Sequence, residues 1–212
     1  MLGHRAFTTL RSAREYAEVA RSGDGLYVFA YGSLMWSSPE SVCIAARIQC
    51  RLRGFARSFC IHSRNYRGTP EKPGLVLGLE PSDRASCVGV ALKLGDPHSK
   101  AALDSLARID AQEMITQSNP TAVYLRTAQL LQLDDGRSVS ALAYVANPAD
   151  GPMDLSLQQR AEVILGAHGL RGSNRDYLEQ TAERLRSLGI HDPHVVELRD
   201  RVHTLAHARG AG

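Results

Sequence analysis

Residues 27–36 read Tyr-Val-Phe-Ala-Tyr-Gly-Ser-Leu-Met-Trp, a short apolar strand that runs into a turn of small residues. In such a turn the backbone N–H groups can point outward together and bind an anion or a developing oxyanion. The plain alternative is an ordinary turn, in which glycine tolerates positive φ and serine bonds its own backbone. The stretch therefore offers four candidate substrate-binding residues, Tyr31, Gly32, Ser33 and Leu34.

Outward from this stretch, the patterning predicts strands first and helices later. Further strands are predicted at 48–59, 75–79, 88–94, 123–133 and 139–145, beside the one at 26–30. A helix is predicted from about His98 to Met114, and an Asp-Gly pair at 135–136 predicts a hairpin. Because strands do not alternate with single helices, the order favours an α+β fold over a doubly wound one.

The C-terminal third predicts three helices, each with a recognisable start. The start signals are Ser156 with Gln159, Ser173 with Asp176, and Asp192 followed by Pro193. We predict one domain over residues 25–205, preceded by a helical extension over residues 1–24 and followed by a tail over residues 206–212.

Composition limits the class of protein. The 212 residues are 43% hydrophobic and 22% charged, which is ordinary for a globular chain. No apolar run reaches the length of a membrane span, and the N-terminal segment carries charges where a signal peptide would be apolar, so we predict a cytoplasmic protein without a membrane partner. The four cysteines match no zinc spacing, so no metal site is predicted. No oligomeric state is predicted.

Arginines are concentrated between Ser41 and Pro70, where no acidic residue occurs, although the net charge is only +3. A solvated strand face is the simplest explanation, because polar and apolar residues alternate from 47 to 53. Nucleic-acid binding would need a broader basic surface or aromatic stacking platforms, so no nucleic-acid partner is predicted. The third interpretation is that one or two of these arginines bind a carboxylate of an anionic peptide, and Arg67 is our candidate.

Four further motifs carry a resemblance to a known family. They are Arg-Gly-Thr-Pro-Glu-Lys-Pro-Gly-Leu-Val-Leu-Gly-Leu at 67–79, Gln-Glu-Met at 112–114, Ala-Leu-Ala-Tyr-Val at 141–145 and Gly-Ser-Asn-Arg-Asp-Tyr-Leu at 172–178. With residues 27–36, they resemble the ChaC family of γ-glutamylcyclotransferases over roughly residues 25–205. The resemblance implies a mixed β-sheet or barrel with flanking helices. It also implies a cofactor-free cytoplasmic carbon-nitrogen lyase that releases 5-oxoproline from γ-glutamyl peptides, glutathione above all.

The resemblance also assigns roles to single residues. Glu113 matches the family's catalytic glutamate, which would act as general base and then general acid. Tyr144 matches a tyrosine that would contact the substrate, and the alternative is a core tyrosine with its hydroxyl at the sheet edge. Gln112 stands where the family usually has arginine, and Asn119 stands where an aromatic residue is common. A cyclotransferase for γ-glutamyl amines and a catalytically silent γ-glutamyl-binding protein therefore stay open as alternatives.

Overall fold

The computed structural model describes Glu15 and residues 25–113, 123–149 and 155–210. Contacts between Cα atoms divide the chain into two compact units, Met1–Phe55 with Ser82–Asn147, and Ala56–Pro81 with Pro148–Gly212. The predicted N-terminal extension lies outside the described residues except for Glu15, and so does Asn119.

The first unit is organised around a closed five-stranded barrel. Its strands are β1 (Leu26–Ala30), β2 (Ala46–Ser63), β3 (Gly74–Gly95), β4 (Tyr124–Leu133) and β5 (Ser138–Ala146), in the order β1-β3-β2-β4-β5. A parallel pairing of β1 with β5, in which Val28 lies opposite Leu142, closes the ring. Strands β2 and β3 run on into the second unit without a break. The predicted α+β class is confirmed.

Burial along the strands follows their apolar patterns. Every residue of β1 is buried, which fits its uninterrupted apolar sequence. Residues 46–53 of β2 alternate between the covered and the exposed face, as the period of two predicts. The predicted hairpin between β4 and β5 is also confirmed, since the N–H of Leu133 donates to the carbonyl of Arg137 at 2.8 Å and Gly136 has φ of 87°.

One strand prediction is wrong. The stretches 75–79 and 88–94 were predicted as separate strands, but they belong to the single strand β3 of 22 residues. Pro81 suggested a break, yet it lies at an exposed position, where a missing N–H does not remove a buried ladder bond. The backbone therefore stays extended through it.

Helix α1 (Lys100–Gln112) belongs to the first unit, and the 3-10 helix Ser33–Met35 follows β1. The side chain of Ser99 caps α1 by accepting a hydrogen bond from the N–H of Ala102 at 3.2 Å. Glu113 closes the last turn, with its N–H donating to the carbonyl of Ile109 at 3.0 Å. The end of this helix thus places Glu113.

The second unit carries the helices α2 (Leu157–Gly166), α3 (Asn174–Ser187) and α4 (Pro193–Gly210), with the short strands β6 (His168–Gly169) and β7 (Gly172–Ser173). All three predicted helix starts are confirmed, because Ser156, Ser173 and Asp192 accept hydrogen bonds from backbone N–H groups of the first turns. None of the described helices has the length and apolar character that crossing a membrane requires.

The predicted tail needs a correction. Helix α4 continues to Gly210, so residues 206–210, which were assigned to a frayed tail, are helical. The segment contains Ala206, Ala208 and Arg209, which are good helix formers, so nothing in it stops the helix early.

Candidate active site

The turn after β1 presents backbone donors. Within it the carbonyl of Gly32 accepts from the N–H of Met35 at 2.9 Å, and the carbonyl of Ser33 accepts from the N–H of Trp36 at 3.0 Å. The N–H groups of Gly32, Ser33 and Leu34 come before these bonds and donate to no other group in the part of the chain that the structure describes. Three successive amides at the start of one turn can bind an anion. The anion-binding role of this stretch stays a prediction.

Two side chains hold the turn in place. The hydroxyl of Tyr31 donates to the carbonyl of Tyr144 on β5 at 2.8 Å, and the Tyr31 ring is buried. On the other side, Nη1 of Arg47 donates to the carbonyls of Leu34 and Met35, at 3.4 and 3.2 Å. Donors that are fixed in advance stabilise a developing charge without having to reorganise.

The carboxyl group of Glu113, which follows the last residue of α1, has a raised pKa. The residue is half-buried, and burial of its carboxyl group raises its pKa to about 7. A hydrogen bond from the side chain of Gln112 opposes this shift, whereas the nearby charge of Asp110 adds to it. No basic side chain of the described segments forms an ion pair with Glu113. Its carboxyl group can therefore exchange a proton near neutral pH.

Asp110, one helical turn before Glu113, is the centre of a buried network. Its Oδ1 accepts from the hydroxyl of Tyr144 at 2.7 Å, and its Oδ2 accepts from Nη1 of Arg126 at 2.7 Å. Arg126 and Tyr144 lie opposite each other on β4 and β5. Burial raises the pKa of Asp110, and its bonds to Tyr144 and Arg126 oppose that rise.

The phenol hydroxyl of Tyr144 is part of this hydrogen-bonded network. The side chain is fully buried, and burial together with the neighbouring carboxylates raises its pKa well above the usual value. Its proton goes to Asp110, so it would contact a substrate through its oxygen lone pairs. The predicted role of Tyr144 as a substrate contact stays a prediction.

The structure brings most of the predicted site residues together in the first unit. Tyr31 and the rest of its turn are joined to Tyr144, Tyr144 to Asp110, and the charges of Asp110 and Tyr144 both interact with Glu113. The hydrogen bonds run from the buried Tyr31 hydroxyl to the main-chain carbonyl of Tyr144, and from the Tyr144 hydroxyl to Asp110, whereas Asp110 acts on Glu113 through its charge. These bonds join the turn to helix α1, whose last residue precedes Glu113.

Arg67 belongs to the second unit, and its guanidinium group contacts other residues of that unit. Nη1 donates to the carbonyls of Arg171 and Ser173 at 2.6 and 3.3 Å, and the guanidinium lies over the ring of Tyr177 at 5.1 Å. These contacts order the loop that carries the Arg-Gly-Thr-Pro motif. A role for Arg67 in substrate binding stays a prediction.

Three residues that shape the site were not predicted. Asp110 could have been found, because it lies three residues before Glu113 and interrupts the buried face of an amphipathic helix. Arg126 and Arg47 carry no such signal, since an arginine on a strand is usually solvated. Only the packing reveals which carboxylate or carbonyl each one binds.

Thiol and metal chemistry have little support among the described residues. All four cysteines are free, and burial raises the pKa of Cys50 to about 12 and that of Cys60 further above its usual value. No group of three or more His, Cys, Asp or Glu side chains there is arranged to hold a metal ion. The reactive group that the geometry offers is a carboxylate.

The sequence matches a known family over most of its length. A family model described as "ChaC-like protein" matches residues 26–205. A glutathione-specific γ-glutamylcyclotransferase of Escherichia coli strain K12 is 33% identical over 169 residues, which are 79% of this chain and 68% of that protein. The γ-glutamylcyclotransferase 2-3 of Arabidopsis thaliana is 31% identical over 186 residues, which are 84% of this chain and 88% of that protein.

A solved structure shares the fold. The crystal structure of a glutathione-specific γ-glutamylcyclotransferase from yeast matches with a TM-score of 0.71 and 22% sequence identity, covering 86% of this chain and 97% of that one. At this identity the likeness supports the predicted γ-glutamylcyclotransferase-like fold, with its barrel and flanking helices.

Proposed function

The chain belongs to the ChaC-like protein family, and from that membership we propose that it is a γ-glutamylcyclotransferase. We propose glutathione or a related γ-glutamyl peptide as its substrate, because the E. coli relative and the yeast structure are both described as glutathione-specific. The observation that carries the proposal is the Glu113 carboxyl group, whose pKa of about 7 suits proton transfer. Helix α1, which ends just before Glu113, is joined through Asp110 and Tyr144 to the turn whose first N–H groups have no partner among the described residues.

The first step is removal of a proton from the substrate. The α-amine of a γ-glutamyl peptide is largely an ammonium group at neutral pH and cannot attack until it loses a proton. Glu113 takes that proton, and a carboxylate with a pKa near 7 is a stronger base than one at 4.5. The protein needs no nucleophile of its own, because the amine and the γ-carbonyl belong to one molecule.

The second step is ring closure. The amine nitrogen attacks the γ-carbonyl carbon, which forms the C–N bond of a five-membered lactam and moves charge to the carbonyl oxygen. Holding the two atoms about 3 Å apart supplies much of the acceleration. The N–H groups of Ser33 and Leu34 are the donors that we assign to the developing oxyanion or to the substrate's α-carboxylate.

The third step releases the peptide. The bond between the γ-carbonyl carbon and the departing amide nitrogen breaks, and Glu113 returns the proton to that nitrogen. The carboxylate then takes the second proton from the ring nitrogen and passes it to the released amine, which leaves as an ammonium group. The products are 5-oxoproline and the free peptide, which is Cys-Gly when glutathione is the substrate. No water molecule and no cofactor is consumed, so atoms and protons balance.

Remaining roles follow from position. We assign Gln112 to orient the Glu113 carboxylate through its side-chain hydrogen bond, in place of the arginine that the family usually has. Tyr144 and Arg67 stay candidates for substrate contacts.

We assign the protein to the cytoplasm, since four free cysteines suit a reducing compartment, where glutathione is abundant.

The test is product formation by purified protein. Incubation with glutathione should yield 5-oxoproline and Cys-Gly in equal amounts, and Glu113→Gln should lower kcat/KM by about 10³-fold, because it removes the general base and acid. Asp104→Asn is the matched control, because Asp104 is an exposed acid on the same helix whose partner is Lys100. Full activity in Glu113→Gln would refute the assigned base.

The two alternatives give different outcomes in the same assay. Turnover of γ-glutamyl amines without turnover of glutathione would keep the reaction and change the substrate. Glutathione binding without any 5-oxoproline would favour a silent binding protein.

A further inference from the structure

A groove of about 380 Å³ on the first unit is lined by arginines from two strands. Its lining residues are Arg51, Arg53, Asp83, Arg84, Ala85 and Ser86. Arg51 and Arg53 stand two residues apart on β2, so their side chains share one face of the sheet. The other four belong to β3. The groove is therefore built on regular strands rather than on a loop.

The arginines of this groove have no acidic partners among the residues that the structure describes. Nη1 of Arg51 donates to the hydroxyl of Ser86 at 2.8 Å, and Nη2 of Arg53 approaches Oε1 of Gln132 at 3.4 Å. Arg84 makes no hydrogen bond or ion pair within those segments. Asp83 lines the groove without pairing with any of the three.

Some arginines elsewhere in the described segments pair with acids. Arg186 pairs with Glu183, Arg137 with Asp135, and Arg199 with its neighbour Asp200. Three unpaired guanidinium groups around one groove repel one another, and a bound anion would relieve that repulsion. A guanidinium also offers a planar fork of donors that matches phosphate and carboxylate groups.

We propose that this groove binds a compact anion with several negative charges, of the oligophosphate or polycarboxylate class. The groove is too small and too isolated for a nucleic-acid track, because its lining has no aromatic side chain and the whole chain carries a net charge of only +3. The proposal does not depend on the reaction assigned to Glu113.

The test measures binding of tripolyphosphate and citrate by calorimetry, with one probe for each ligand class. The class with the tighter binding is the ligand class of the groove. Arg51→Ala with Arg53→Ala should weaken binding by about tenfold or more, and Arg84→Ala by about threefold. Asp83→Asn should strengthen binding by about threefold, because it removes the acid from the lining.

Two controls separate the groove from bulk charge. Arg186→Ala loses the same charge at an ion-paired site and should leave affinity unchanged. Replacing Arg51 and Arg53 by lysine keeps the charge and removes the planar guanidinium groups. The affinity of this variant should therefore lie between those of the wild type and the double alanine variant. Circular dichroism and melting temperature check that each variant is folded.

Three results would overturn the proposal. The first is that neither tripolyphosphate nor citrate binds to the folded wild-type protein at millimolar concentration. Another is an equal loss of affinity in Arg186→Ala. The third is that a single-stranded oligonucleotide binds more tightly than tripolyphosphate and that the double alanine variant abolishes this oligonucleotide binding. Such a result would assign the groove to nucleic acid.

Discussion

Among the described residues, each unit contains a buried ion pair of an arginine and an aspartate. In the first unit Arg126 binds Asp110, with side chains 7% and 12% exposed, and in the second unit Arg57 binds Asp192, with side chains 1% and 12% exposed. The chemistry and the shielding are thus nearly the same. The surroundings differ, because Asp110 lies one turn before Glu113 and its charge raises the pKa of that acid.

Asp192 has a purely structural second task. Its Oδ1 accepts from the N–H of Val195 at 3.2 Å and so caps helix α4. Every charge of this pair is used within the protein, whereas the pair in the first unit stands beside an acid that has no basic partner in the described residues. A paired buried charge supports the fold, whereas the acid beside it has no basic partner to oppose the rise of its pKa and is the candidate for proton transfer.

The largest expected effect is on the structural pair. Asp192→Ala leaves Arg57 buried without its carboxylate and removes the cap of α4, so the free energy of unfolding should fall by about 3 kcal/mol. Urea denaturation measures the loss. Asp200→Ala is the control, because its partner Arg199 lies on the surface and such pairs contribute less than about 1 kcal/mol. Equal losses of stability in both variants would contradict the structural role of the buried Asp192 carboxylate.

The next effect concerns the unpaired acid and depends on pH. Because the folded pKa of Glu113 is raised from 4.5 to about 7, its contribution to stability is fully present below pH 4.5 and is lost as the pH rises through 7. Glu113→Gln cannot ionise, so its stability relative to wild type should grow by about 3 kcal/mol between pH 4.5 and 8. Melting temperatures across that range measure the difference, and a constant difference would contradict the burial of the carboxyl group.

A smaller effect tests the coupling between the two acids of the site. The acid limb of kcat/KM for the wild type should lie near pH 7, and Asp110→Asn should move it to lower pH, because the charge of Asp110 raises the pKa of Glu113. We expect kcat/KM at its optimum to fall by about tenfold, since the network that positions Tyr144 is weakened. Tyr144→Phe removes the hydrogen bond but keeps the charge, so the limb should move less. A limb that does not move in Asp110→Asn would leave Asp110 with a structural role alone.

The smallest effect concerns the turn. Arg47→Ala removes the donors to the carbonyls of Leu34 and Met35, so the turn should be less well fixed and kcat/KM should fall by about threefold. Arg186→Ala, an exposed arginine elsewhere, should leave the steady-state constants unchanged. The same decrease in both variants would point to net charge rather than to the turn.

Local features of the fold were predictable because they depend on neighbouring residues. The strand and turn at 27–36, the Asp-Gly hairpin and the helix caps at Ser156, Ser173 and Asp192 follow from backbone preferences over a few positions. The single strand β3 was not predictable in this way, because Pro81 breaks a strand only where its missing N–H would be buried.

The amino-acid sequence by itself determined that the chain would form an α+β fold with a donor-rich turn and an acid at the end of the central helix. These features were predictable because the periodicity of hydrophobic residues and the helix caps depend only on residues that are close to one another in the sequence. Only the tertiary structure decided that Asp110 would meet Arg126 and Tyr144, and that the carboxyl group of Glu113 would be buried enough to titrate near pH 7. Those properties arise from the packing of α1 and two strands distant in the sequence, and a pKa depends on what surrounds a group in space.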